Sequence, residues 1–171
     1  AALRFYEDGQ AASFVSGDDY VLIWNAIDAL ADTASLAEYL GTRMAQGPAV
    51  PVLFAISAAP NFETGLARMS RYKHLFGPMR FAIDADKGTF TIRVMADGII
   101  GELPPSFAAA QIIFLHAKAK ALTSRAFKPK VVSLPLPESD LDNLVTLFEV
   151  EPGFGPPTLT YATADMRIPF I

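Results

Sequence analysis

Six polar side chains lie close together along the chain: Arg68, Arg71, Tyr72, Lys73, His74 and Arg80. An arginine presents a rigid fork of donors that suits a carboxylate or phosphate. Arg71, Tyr72 and Arg80 are therefore candidates to hold the polar or anionic end of a small ligand. Phe54, Phe76, Phe81 and Phe114 are candidates to line an apolar cavity beside them. Each set also has a plainer reading. Cations at the carboxyl end of a helix complement its dipole on a solvated face, and phenylalanines at core spacing are ordinary core.

Other chemistry is poorly represented. The chain has no Cys and only His74 and His116 as imidazoles, far apart and without a His-x-x-His or His-Glu partner, so a metal centre is not expected. No Gly-x-Ser-x-Gly elbow and no glycine-rich phosphate cradle occurs, and Gly153-Phe154-Gly155 reads as a turn. The acidic pairs Asp84 and Asp86, and Asp140 and Asp142, fall at a turn and a helix start, where short acceptors serve the local backbone. His74 reads as a helix-end surface residue and His116 as a half-buried helix residue. No catalytic residue and no cofactor is expected.

The elements that must position the candidates centre on residues 60–94. Asn61 has the chemistry of a helix cap, Phe62, Leu66 and Met69 follow at helical spacing, and Gly77-Pro78 ends the helix. Met79, Phe81 and Ile83 then alternate with polar or small residues, Asp86-Lys87-Gly88 turns, and Phe90, Ile92 and Val94 alternate again. A helix leading into a hairpin, each with one apolar face, must bury those faces together.

Upstream, Ser16 and Asp19 have capping-box spacing before a helix with Tyr20, Ile23, Trp24, Ile27 and Leu30 on one face. Ser35 and Glu38 repeat the pattern before Leu36, Tyr39, Leu40, Arg43 and Met44. The charge-free run from Pro48 to Pro60 suggests a short helix along Val50, Leu53, Phe54 and Ser57, buried on most sides. Downstream, a long helix spans Pro105 to Arg125 along Phe107, Gln111, Phe114, Leu115, Lys118 and Leu122. Lys130–Leu134 reads as a strand, Ser139 and Asp142 as the start of a helix carrying Leu141, Leu144, Val145 and Phe148, and Leu159–Tyr161 as a last strand. The fold class is α+β: a helical amino-terminal half packed on a small, mostly antiparallel sheet, with a long helix across it.

Composition sets the outer bounds. At 171 residues one domain, 1–171, is the default, and 51% hydrophobic against 19% charged residues argues for a folded core rather than disorder. A net charge of −4 disfavours binding of nucleic acid by this chain itself, which needs a basic surface. No apolar run is long enough for a membrane span and no basic-then-apolar leader opens the chain, so a cytoplasmic protein is expected. The first residue is not Met, which suggests a start inside a longer protein.

The run from Asp19-Tyr20 to Trp24, then Ala58 to Tyr72, then Phe76-Gly-Pro-Met-Arg80-Phe81 resembles the amino-terminal effector domain of AraC-type transcription regulators, of the arabinose-binding-like class. Pro129–Pro135, Pro152-Gly-Phe-Gly155, Leu159–Tyr161 and Asp165–Pro169 resemble its closing part, and the likeness extends from about Val15 to Ile171. The resemblance implies a ligand-sensing domain for a small-molecule effector of unstated identity. It also implies homodimerisation, and DNA binding only through a carboxyl-terminal helix-turn-helix module that these residues do not include. It carries over no binding residue, so Arg71, Tyr72 and Arg80 rest on residue chemistry alone. The pocket is expected where the Asn61–Phe76 helix, the Met79–Val94 hairpin and the Pro105–Arg125 helix converge, by Gly77-Pro78. The alternative is a small enzyme, or a carrier of an apolar ligand, with its pocket in the same place.

Overall fold

The computed structural model of the protein describes residues 16–47, 51–72, 77–98, 100–123 and 127–171. Expectations placed on Pro48, Val50, Lys73, His74, Phe76 and Arg125 lie outside the described residues. The first helix, α1 (Gly17–Asp28), is capped by Ser16, whose hydroxyl accepts from Asp19 N at 3.1 Å. The Asp19 carboxylate accepts from the Ser16 hydroxyl at 2.7 Å instead of from a backbone N–H, so only half of the expected capping box forms. The second helix, α2 (Thr33–Gln46), starts ahead of the expected Ser35 cap: Asp32 accepts from Ser35 N at 2.8 Å.

Two shorter helices follow, α3 (Pro51–Ser57) and α4 (Phe62–Tyr72). Asn61 caps α4 as expected, accepting from Thr64 N at 2.9 Å, and Phe62, Leu66 and Met69 are buried. In α3 Ile56 is buried, but Phe54 is 59% exposed, so α3 is not covered on most sides. It faces α4 through Gly65, where a Cβ would come within 2.8 Å of Ile56.

The hairpin forms as read, from β1 (Met79–Ala85) and β2 (Thr89–Ala96), with Phe81 opposite Val94 and Ile83 opposite Ile92. Asp86 makes its turn by accepting from Gly88 N at 2.7 Å and Thr89 N at 2.6 Å, which holds its carboxyl below the usual range. Then come α5 (Pro105–Leu122), β3 (Val131–Leu134), α6 (Glu138–Leu141), a 3-10 turn (Asp142–Leu144), α7 (Val145–Phe148), β4 (Gly153–Phe154), β5 (Thr158–Ala162) and α8 (Thr163–Met166). Ser139 does not cap α6; its hydroxyl donates to the neighbouring Asp140 carboxylate. The sheet order is β1-β2-β5-β3-β4, antiparallel except for the β3–β4 pair. Two residues that read as a turn, Gly153 and Phe154, thus form the parallel edge.

The core is organised by α5, in which every residue from Ser106 to His116 is buried. Its side chains meet Phe90, Ile92, Leu159 and Tyr161 within one cluster, and α2 lies along it. The buried stripe of α2 is Ala34, Ala37, Gly41 and Ala45, while Tyr39 is 61% exposed and Leu40 and Met44 are half-buried. The buried stripe is thus turned away from the expected face, whose Leu40 and Met44 pack only at the edge of the core, because small residues are what allow two helix backbones to approach. A Cβ on Gly41 would lie 2.6 Å from Ile113 Cγ2 and 2.7 Å from the Ala110 carbonyl oxygen. The carboxyl end returns to α4 and α5: Phe170 N donates to Pro60 O, Ile171 N to Leu122 O, and Arg167 pairs with Glu63 at 2.7 Å.

Gly41→Ala tests the close crossing. In an exposed helix the change would add about 1 kcal/mol of stability, whereas overpacking against backbone costs roughly 1–3 kcal/mol. Denaturant titration should therefore show a net loss, while Gly101→Ala, with nothing within 4 Å of its Cβ, should be tolerated. A stabilised Gly41→Ala would contradict the crossing.

Candidate functional site

The sequence-derived candidates divide in two. Phe81 and Phe114 are buried members of the central cluster. Arg71, Tyr72, Arg80 and Phe54 are exposed, on α4, β1 and α3. Phe76 is outside the described residues. The structure thus brings Phe81 and Phe114 into one core and leaves the two arginines, Tyr72 and Phe54 at the surface around it.

A different region has the marks of a seam. No residue of α1 is buried. The helix is held over the amino end of α5 by an aromatic contact and a carboxylate. Trp24 and Tyr20 pack on Phe107, with ring centroids 5.1 and 5.5 Å away and the Tyr20 ring edge-on. Burial in this apolar setting pushes the Tyr20 phenol up. At the far end of α1, both Asp28 carboxylate oxygens face Ser106: one accepts from the backbone N–H at 3.4 Å, the other from the hydroxyl. Pro104 stands at the N-cap position of α5 and has no capping side chain, so a carboxylate from another helix does this work, favoured by the positive end of the α5 dipole.

Beside this seam runs an open groove. One part, about 600 Å³, lies between α1 and residues 100–105 and touches Val21, Leu22, Asn25, Leu103 and Pro105. A second, about 580 Å³, continues along Asn25, Asp28, Ala29 and Thr33 to Pro137 and Phe154. The two share Asn25, Pro105 and Pro135, and neither is lined by those sequence-derived candidates that are among the described residues. Sequence reasoning missed Asn25, Asp28 and Ser106; the available signal was a helix start at Pro105 with no local capping side chain.

His116 is buried, not half-buried. Its Nε2 lies 3.1 Å from the Leu147 carbonyl oxygen and its Nδ1 2.8 Å from the Tyr161 hydroxyl. A carbonyl can only accept, so Nε2 carries the proton, and Nδ1 accepts from the Tyr161 O–H. Burial lowers the imidazole pKa to about 4 and raises that of the Tyr161 phenol, so both groups stay neutral. Every polar atom of the pair is used, which makes this a structural network rather than a reactive dyad. Among the described residues there is no group of three or more His, Cys, Asp or Glu able to hold a metal ion. The oxygen of one other buried side chain, Gln111 Oε1, has no hydrogen-bond partner.

Comparison with known proteins fits this architecture. A model of the family described as the arabinose-binding domain of AraC transcription regulators, N-terminal, matches residues 8–170. No curated protein matches the chain. Among solved structures it is similar to the crystal structure of the transcriptional regulator CdpR from Pseudomonas aeruginosa, with a TM-score of 0.58 at 12% identity. The match covers 78% of this chain and 46% of that one, so the chain spans less than half of that regulator's length. At this identity the likeness shows a shared fold.

The buried imidazole makes stability depend on pH. Unfolded, His116 titrates near 6.5; folded, near 4. Between these values the unfolded chain holds the extra proton, so the contribution is complete above about pH 6.5 and is lost as pH falls towards 4. The full difference is on the order of 3 kcal/mol. Denaturant titrations at pH 7, 5.5 and 4 should show this loss in the wild type, relative to His116→Gln. A wild-type curve parallel to that of the variant would contradict the neutral, buried imidazole.

Proposed function

We infer the function from one premise: the chain belongs to the family of arabinose-binding, N-terminal domains of AraC transcription regulators, and such a domain is the ligand-sensing, regulatory part of its regulator. Residues 1–171 act as one effector-binding domain, and the ligand is a small molecule. A ligand that prefers one arrangement of the domain shifts the DNA affinity of an attached module by no more than its differential affinity for the two arrangements.

The observation that carries this mechanism is the loosely seated α1. With no buried residue, and held among the described residues chiefly by the Phe107 contact and the Asp28–Ser106 pair, it is the layer whose position costs least to change, and a groove opens along it. Small ligands favour such concave, mainly apolar sites with a few polar groups. The second location is the start of the hairpin at Gly77, where Tyr20, Phe107 and Met79 come within 4 Å of where a Cβ would stand, with Arg71, Tyr72 and Arg80 as the exposed polar candidates on α4 and β1. Homodimerisation follows the two-fold logic of paired half-sites. On α1 Leu22 and Ile27 are exposed, as is Leu30 just beyond its end, whereas Trp24 is half-buried by its packing on Phe107. The protein acts in the cytoplasm, and among the described residues no helix is long and apolar enough to cross a membrane. The role is binding rather than catalysis, which the full pairing of the His116–Tyr161 network supports.

The parent open reading frame should encode a helix-turn-helix region after Ile171; a frame without one sinks the regulator reading. A thermal-shift screen of cytosolic metabolites should then yield an effector. At about 100 times its Kd a ligand adds roughly 2.7 kcal/mol of stability, which raises Tm by about 5–10 °C in a domain of this size. Weakening by Asn25→Ala places that effector in the groove, and weakening by Arg80→Ala places it near Gly77. In the full-length protein the same effector should change operator affinity. An effector that stabilises the domain yet leaves operator binding unchanged would overturn the coupling.

A further inference from the structure

The middle of α5 contains one side chain that the fold does not satisfy. Gln111 is 1% exposed and its Oε1 has no hydrogen-bond partner, although every immediate neighbour on the helix is an apolar core residue. A buried carbonyl left unpaired costs about 1–3 kcal/mol relative to an apolar replacement, so its presence calls for a partner that the folded chain does not supply.

Helical geometry says where that partner would come from. Residues 107, 111, 114 and 118 share one face of α5, each three or four positions from the next. At one end of the face the Phe107 ring meets Tyr20 and Trp24 of α1. At the other, the Lys118 ammonium donates to the Ala45 carbonyl at the end of α2, 3.4 Å away. Gln111 therefore lies between the carboxyl end of α2 and the aromatic contact of α1. The apolar side chains at these two boundaries, Tyr20, Trp24 and Met44, are only half-buried, unlike those facing the sheet. Close to Phe107 the backbone enters β1 through Gly77, whose φ of 156° is rare for any other residue. A Cβ there would lie 3.5 Å from Tyr20 Oη and 3.6 Å from Phe107. The face itself is closed, with Phe107 7%, Gln111 1% and Phe114 0% exposed, so a ligand reaches the unused acceptor by displacing part of the half-buried α1 contact, and it needs an apolar body and a donor.

We propose that Gln111 is the polar anchor of the effector site: its amide oxygen accepts from an N–H or O–H of a ring-sized apolar ligand lying against Phe107, Tyr20 and Trp24. The assignment rests on the ligand-sensing reading above and gives its effector a chemical class. The effector offers an N–H or O–H donor at this end, to meet the lone pairs of the carbonyl. The binding also has a route to regulation. Two of the three rings that the ligand touches belong to α1, so occupancy fixes the helix that is otherwise most weakly attached.

A matched pair of probes tests the assignment. Phenol carries the donor; anisole is nearly the same shape and only accepts. Trp24, the single tryptophan, reports from the site itself when excited beyond the absorption of the probes. Titrated into the protein, phenol should alter Trp24 emission with an affinity roughly fivefold or more above that of anisole, the net worth of a hydrogen bond. In Gln111→Met, which keeps the length of the side chain and removes the acceptor, the two probes should bind alike. The ligand-free variant should have a Tm equal to or above that of the wild type. Failure of either probe to perturb Trp24, equal binding by the wild type, a preference for phenol that survives in Gln111→Met, or a lower Tm in the variant would each overturn the proposal. The lower Tm would mark Gln111 as an ordinary structural residue satisfied by buried water. These outcomes are independent of operator binding: a metabolite that stabilises the domain and alters DNA affinity while phenol and anisole bind alike would leave the sensing function standing and remove Gln111 from it.

Discussion

An eighteen-residue helix with almost no polar face cannot rest on a surface; it has to be enclosed. From Ser106 to His116 α5 offers no side for water, and each large apolar side chain on it, such as Ile112, Ile113, Phe114 and Leu115, gains about 1.5–3 kcal/mol by being covered. The rest of the molecule can be understood as the layers that meet this demand. The sheet covers one side with Phe90, Ile92, Leu159 and Tyr161. On another side α2 comes close because its contact stripe is Ala34, Ala37, Gly41 and Ala45. The two polar residues that α5 buries near its ends are satisfied from elsewhere, Ser106 by Asp28 and His116 by Tyr161 and Leu147.

That division of labour leaves the covering layers unequal. The sheet and α2 are bound by continuous packing, whereas α1 has the aromatic contact at Phe107 and the carboxylate at Ser106. Local stability follows the number of buried contacts, and elements that move on binding come from the weaker end of that range. The proposed sensing site is therefore the seam under α1, where a groove opens to solvent, rather than the deep core. The buried His116–Tyr161 pair illustrates the opposite role, a polar contact with every atom matched and no capacity left for a substrate.

Elements with strong local signals were legible from the sequence. Asn61 with Phe62, Leu66 and Met69, and the alternation through the Asp86 turn, pair an apolar period with the matching cap or turn chemistry, so local and tertiary preferences agree. The face of α2 was misjudged because an apolar period weighted by side-chain size picks out Leu36, Leu40 and Met44, whereas a close helix crossing selects for the absence of bulk, which that measure treats as neutral. The exposure of α3 and the two-residue strand β4 were illegible for a related reason: both depend on what lies opposite in space. For the site, the visible arginines on α4 and β1 proved to be surface residues, and Phe81 and Phe114 core. The more informative signal was one glutamine in an otherwise apolar stretch of helix, Gln111, which helical periodicity alone records merely as one more position on a face.

An enclosed α5 and a weakly seated α1 together predict one pattern of native-state hydrogen exchange. Amides from Ala109 to His116 should exchange only through global unfolding, while those from Val21 to Ile27 should open at a distinctly lower free energy and gain protection when an effector is bound. Exchange of the α1 amides as slow as that of α5, with no response to an effector that stabilises the domain, would contradict it.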